Sequence, residues 1–391
     1  MINIPTLQQL YNSIVSDIET EFGLLAVFGK SFLRAFSAVL SGQLKMVYYA
    51  IGKMQKNIFI DTAEPVAMGG SLERWGFAIL KRYPSVATQG QYTFTVTGTN
   101  GSIIKALQTF KSDDTAANPG KLFILDNAYT LTGTTGTIQL RALEAGIDSK
   151  LNIGETVTAT SPLSGVNDTA VVLAQVVEPK AAEDIEDYRA KALQAYRIEP
   201  QGGAGGDYRL WALDAQGVKQ SYPYVKSGAV GVIQVYVEAT IVDSTDGKGT
   251  PSTSLLNDVA AVIELDPDTT LSMSERGRRP MTVKNVEVLP VDVVDIDIVI
   301  TGLANNNADK QAAILAQMTE AISKVRPFIP STDIITERND LISQNTIIYN
   351  ILTAIPGAVF TSVTLKADTV IVTNKIFDNG QIPFLNSITY V

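Results

Sequence analysis

The stretch from Glu178 to Gly217 reads EPKAAEDIEDYRAKALQAYRIEPQGGAGGDYRLWALDAQG, and its order of parts constrains this chain more than any other segment. Acids at Glu183, Asp184, Glu186 and Asp187 precede a helix-forming run, because the first amides of a helix are unpaired and its dipole is positive there. A helix is therefore predicted from about Ala182. Pro200 and the glycines Gly202, Gly203, Gly205 and Gly206 are predicted to end it, with Asp207 as a cap for a second helix carrying Tyr208 and Trp211. Two helices would then meet at a glycine hinge, with at least one of Gly203 and Gly205 at positive φ. A nucleotide site would need its glycines between a strand and a helix, where phosphate meets free amides. Here they follow a helix, so the hinge is preferred.

The 391 residues contain no cysteine and no histidine. That removes disulfides, thiolate sites and the imidazole on which most hydrolytic triads, zinc sites and neutral-pH general bases depend. The expectation is no enzyme, no small-molecule cofactor and no catalytic metal, with only carboxylate chemistry left open. The net charge of −9 opposes binding to nucleic-acid phosphates. Arg276-Gly277-Arg278-Arg279, the one basic run, reads as a salt-bridged or solvated loop. The start MINIPTLQQL lacks the features of a signal peptide, and Lys30, Arg34 and Lys45 interrupt the apolar stretch from Phe22 to Met54 too often for a bilayer span. No membrane insertion is expected. With 45% hydrophobic and 18% charged residues, several packed units with sparingly charged surfaces are predicted.

Periodicity divides the chain into four regions. Residues 1–84 are helical: Leu7, Leu10, Ile14, Ile18, Phe22 and Leu25 recur at helical steps, and after Gly29 a second stripe runs through Phe32, Phe36, Val39, Leu40, Leu44, Val47, Ile51 and Met54. The stripes either pack within the chain or enter an intermolecular bundle, since two helices alone leave much apolar surface uncovered. Residues 85–178 alternate as strands, with Tyr92, Phe94 and Val96 between threonines and Ile138 with Leu140, broken at Gly98, Asn100-Gly101 and Gly133. The sequons at Asn100 and Asn167 are chance matches.

Residues 179–302 form an α+β region. It has a strand from Gly231 to Thr240 with Ile233, Val235 and Val237 on one face, a helix from Ser252 to Leu265, and one long strand or two from Val283 to Ile300. There Val294, Ile296, Ile298 and Ile300 share a face, while Asp295 and Asp297, with Asp292 nearby, are a solvated face rather than a calcium cage. Residues 303–391 repeat the mixture. A helix from Asn307 to Val325 turns Ala312, Leu315, Met318 and Ile322 inward, another spans Ser343 to Ile355, and paired strands follow. Asn345, Asp340 and Glu337 are expected to form a helix-start network.

The order of four blocks resembles the baseplate J-like proteins, wedge subunits of contractile phage tails and related contractile injection machines. DTAEPVAMGGSLERWG from Asp61 to Gly76 resembles the end of that family's amino-terminal helices, and RALEAGIDSKLNIGETVTATSPLSGV its strand region. EDIEDYRAKAL, GGAGG and DYRLWAL, followed by GVIQVYVEAT, resemble its central part. The family often has a glycine pair before the acids, where this chain has Glu178-Pro179-Lys180-Ala181. The resemblance implies an α+β multidomain structural protein of a virion tail or injection-system baseplate, assembled in the bacterial cytoplasm. It implies pairing with a second copy and a smaller wedge subunit through helices bearing Leu7, Leu10, Ile14, Ile18, Phe32, Phe36, Val39 and Leu44, and contact with hub proteins. The alternative is a tail-associated protein that binds glycans or hydrolyses them with two carboxylates flanking an aromatic cleft. Only Trp75 and Trp211 offer indole rings for that.

Overall fold

Helical spacing at the amino terminus yields α1 (Leu7–Phe22) and α2 (Val27–Lys56). The computed structural model describes residues 4–22, 27–198, 202–330 and 332–391, with backbone alone at residues 22 and 27–30. Helix α2 begins at Val27, so Gly29 lies inside it. A 30-residue helix absorbs the cost of about 1 kcal/mol that an interior glycine carries. Leu25 and Pro200, to which the sequence assigns a stripe position and a helix stop, lie outside the described residues.

The chain is a multidomain α+β protein in two compact units, residues 1–84 with 184–197, and residues 85–183 with 198–391. In the first, α3 (Leu72–Leu80) packs against α4 (Ile185–Arg197), burying Ile60, Ala63, Leu72 and Ala192 together. The acids act at the start of α4 as expected: Asp184 Oδ1 accepts the amides of Glu186 at 2.8 Å and Asp187 at 3.2 Å. Gly76 of α3 lets the buried Tyr188 ring lie against the backbone, where an added Cβ would come within 2.3 Å of that ring. The Tyr188 hydroxyl donates to the Arg82 carbonyl at 2.7 Å.

The second unit begins with a closed antiparallel barrel. Its strands are β1 (Gln91–Thr97), β3 (Thr109–Ser112), β4 (Leu122–Ile124), β6 (Thr135–Ala142), β7 (Thr156–Ala159) and β8 (Thr169–Val177), in the order β1-β6-β4-β3-β7-β8. A short pair, β2 (Ile103–Ile104) and β5 (Tyr129–Thr130), accompanies it. Alternation places Tyr92, Phe94 and Val96 inside and their threonine neighbours outward. Tyr92, Phe94 and Phe123 meet edge to face at 6.0–6.3 Å. Burial pushes the Tyr92 phenol up to about 12.

After the barrel, α5 (Gly205–Ala212) and α6 (Thr253–Glu264) cover a sheet of β9 (Val218–Val225), β10 (Val232–Ala239) and β11 (Asn285–Pro290), in which β10 pairs antiparallel with β9 and parallel with β11. Polar contacts tie the barrel to this layer. Gln216 Nε2 reaches the carbonyls of Val86 and Ala181 at 2.8 and 2.9 Å, and Lys180 pairs with Asp258.

The last layer is a sheet ordered β15-β14-β12-β17, comprising β12 (Asp292–Thr301), β14 (Ser362–Ala367), β15 (Val370–Val372) and β17 (Gln381–Tyr390). Its core is shared with α7 (Ala308–Ser323) and α8 (Gln344–Ala354), while β13 (Leu341–Ser343) pairs with β16 (Asn374–Ile376). On β12 the isoleucines are buried and the aspartates turn away, as the alternation predicts. Three details differ from expectation. On α7 the inward face is Ile314, Met318 and Ile322, while Ala312 and Leu315 are exposed. Asp207 is the third residue of α5 rather than its cap, and it reaches back to accept the amides of Gly203 at 2.6 Å and Ala204 at 3.2 Å. Asp340 pairs with Arg338, and the start of α8 is capped by Ser343 accepting from Thr346, so the Asn345 network is absent.

Candidate assembly surface

Helices α1 and α2 form a hairpin whose two members use different surfaces. Ile4 at the head of α1 lies beside Gly52 near the tail of α2, so the helices run antiparallel. On α1, Leu10 is buried and Ile14 and Ile18 are half-buried. On α2 the buried positions are Ser37 and Ser41, at 0% and 1% exposure. Serines four residues apart share a face and permit close backbone approach. Their hydroxyls are satisfied locally, Ser37 Oγ donating to the Leu33 carbonyl at 2.7 Å and Ser41 Oγ to Ala38 at 2.9 Å.

The aromatic and aliphatic stripe of α2 therefore faces away from the buried seam. Phe32 is 72% exposed, Val39 66% and Met54 68%, with Phe36, Met46 and Val47 also open. Phe32 and Phe36 stack at 6.3 Å between centroids. Of the residues assigned to partner contact from sequence, Leu7, Phe32, Phe36 and Val39 are exposed, Ile14, Ile18 and Leu44 are half-buried, and Leu10 is enclosed. The serine seam was not anticipated, although two serines at helical spacing inside an otherwise apolar run are a visible sign of it.

Asn57 anchors the foot of α2, a role the sequence did not single out. Its Oδ1 accepts the amides of Glu64 at 3.0 Å and Ser71 at 3.1 Å, while its carbonyl accepts from Ser71 Oγ at 2.8 Å and Trp75 Nε1 at 3.1 Å. The block from Asp61 to Gly76 is thus a turn wound around one asparagine.

The glycine segment is a backbone device. Gly202 and Gly203 have φ of 75° and 110°, and an added Cβ on Gly203 would lie 2.3 Å from Pro280 Cγ. Gly205 and Gly206 are the first residues of α5. The basic run is internally neutralised: Arg278 pairs with Asp214 and Asp266, Arg279 with Glu264, and Arg276 donates to the Asp266 carbonyl at 2.7 Å. Trp211 packs against Tyr208 within the central core and Trp75 is tied to Asn57. Among the described residues no group of three acids stands close enough to hold a metal ion, and no helix is long and apolar enough to cross a membrane.

Comparison with known proteins finds partial matches. Residues 200–290 match the model of the Baseplate J-like central domain. The chain is 31% identical over 160 residues to the Mu-like prophage FluMu protein gp47 of Haemophilus influenzae, covering 39% of this chain and 42% of that one. It is 29% identical over 140 residues to the putative protein JayE of Escherichia coli K12, covering 34% of this chain and 48% of that protein. The matches thus span less than half the length of these curated relatives. A looser structural likeness, TM-score 0.43 at 10% identity over 97% of this chain and 90% of the other, is to a chain in the cryo-EM structure of the anti-feeding prophage baseplate. The part of the chain that resembles the Baseplate J-like central domain, residues 200–290, is the part that carries α5, α6 and the β9–β11 sheet.

Proposed function

We propose that this chain is a non-enzymatic structural subunit of the baseplate of a contractile phage tail or a related contractile injection machine, assembled in the bacterial cytoplasm. In this reading it is a wedge protein. The outer face of α2 joins a helical bundle with a second copy and a smaller wedge subunit, and the wedges close into a ring around the hub. The observation that carries this is the inverted use of α2, which buries Ser37 and Ser41 and leaves Phe32, Phe36, Val39 and Met54 uncovered. A helix that existed only to pack within the chain would turn its phenylalanines inward, because each buried side chain of that size stabilises by about 1.5–3 kcal/mol. The match to the Baseplate J-like central domain supports the assignment to a baseplate. The lack of histidine and cysteine supports a role without cofactor or catalytic metal.

Phe36→Asp, alone and with Phe32→Asp, tests it. Sedimentation of the full chain is expected to show an oligomer that these substitutions reduce to monomer, while the melting transition of the barrel and sheet layers stays unchanged. A charge in a closed apolar seam is costly, whereas on an open surface it is nearly free. If the native chain and the variants have the same mass, with and without a wedge neighbour, the reading of α2 is wrong.

A further inference from the structure

The central layer and the carboxyl-terminal layer each close their own core. Tyr208, Val235, Val237 and Val259 belong to the first, and Ile296, Ile298, Ile314 and Leu365 to the second. A single residue, Val291, links β11 to β12. Between the cores sits a small apolar cluster of Tyr222, Val291, Ile329 and Ile382, and beside it a charged network outside both core clusters.

Glu238 on β10 is 1% exposed. It accepts the Tyr222 hydroxyl at 2.6 Å and two bonds from Arg326, from Nε at 3.0 Å and from the terminal nitrogen at 2.8 Å, and Lys219 Nζ lies 3.2 Å away. A second pair runs alongside, with Arg209 of α5 donating to Asp333 at 2.6 Å and to the Ser221 carbonyl at 3.3 Å. Asp333 in turn accepts the Ile329 amide at 2.7 Å. Arg326 and Asp333 both belong to the connection between α7 and β13. The central layer therefore grips that one connection at two points, once with a carboxylate and once with a guanidinium.

We propose that Glu238, Tyr222, Arg326, Arg209 and Asp333 form a latch that fixes the connection between α7 and β13 in one position on the central sheet, and that with the latch broken this connection lifts away while both cores, and the separate tie from Lys248 to Asp295 of β12, stay intact. Apolar contact alone is non-directional and tolerates sliding. A two-pronged arginine–carboxylate pair has one geometry. A half-lifted connection would strand Glu238 away from both water and Arg326, which is unfavourable, so intermediate positions are depopulated. A fully lifted connection returns both charges to water. The connection therefore has two positions rather than a continuum.

The test uses the full chain with Glu238→Gln, Arg326→Gln and the double substitution, read by hydrogen exchange and limited proteolysis. Each single change should speed exchange and cleavage in the connection from Arg326 to Asp340 by about tenfold or more, the scale of losing a charged hydrogen bond. The double variant should be no faster than the worse single, since both remove one unit. Amides of β10 and β12 should keep their protection throughout. Tyr222→Phe, which deletes one hydroxyl, should give a smaller acceleration of the same segment and guards against a single variant that fails to fold. Additive effects, no acceleration, or joint loss of protection in β10 and β12 would each overturn the latch.

Discussion

Gly203 combines a φ of 110° with a Cβ position 2.3 Å from Pro280 Cγ, so any side chain there meets both backbone strain and the Pro280 ring. Gly203→Ala is expected to cost at least about 1–3 kcal/mol, read as a lowered midpoint in urea, with oligomeric state unchanged. An unshifted midpoint would remove the hinge segment from the list of structural constraints. Glu238 gives a second residue-scale test. Burial pushes its carboxyl up, but Arg326, Lys219 and the bond from Tyr222 outweigh that and hold it below the ordinary range. Arg209 also faces the site, from the Tyr222 side. A depressed folded pKa gives stabilisation that is complete above the unfolded carboxylate value, about 4.3, and is lost as pH falls through the folded value. Native protein should therefore lose stability on acidification below about pH 4 more steeply than Glu238→Gln. Parallel pH profiles would contradict the assignment.

At the scale of elements, legibility followed how much each pattern constrains phase. On β12 a period of two leaves one choice, and the isoleucines went inward as read. On α7, Met318 and Ile322 are compatible with a stripe through either Ile314 or Leu315, and the helix alone cannot choose between neighbouring phases. The sheet beneath chose Ile314. Ile314→Ala should accordingly cost about 2–5 kcal/mol in chemical denaturation, and Leu315→Ser less than about 1. The reverse order would mean that the face is misassigned. Similarly, α2 disclosed its apolar stripe in sequence but not which way the stripe faces, because that depends on the serine seam with α1. Glu238 was passed over inside a valine-rich strand. Its partners Arg326 and Tyr222 lie on other elements, and no local spacing joins them.

At the scale of the whole molecule, periodicity divides the sequence into consecutive regions, whereas the first compact unit is assembled from residues 1–84 and 184–197, which lie on either side of the barrel in sequence. Helix α4 supplies the Tyr188 ring that lies against Gly76 and the Ala192 that completes the small core around Ile60, Ala63 and Leu72. This interruption has a consequence in time. The last barrel strand ends at Val177 and α4 at Arg197, so at about 5–20 residues per second of synthesis the barrel's residues are all made roughly one to four seconds before α4 is complete, and the barrel can close with its own core while the surface of α3 waits bare. The unit that is begun first is then finished only after the barrel has closed. Nascent chains stalled before Asp184 has emerged are expected to show a protease-resistant barrel and a cleavable segment around α3, resistance at α3 arriving only with residues 184–197. Protection of α3 before that point would show that the first 84 residues settle without their missing helix.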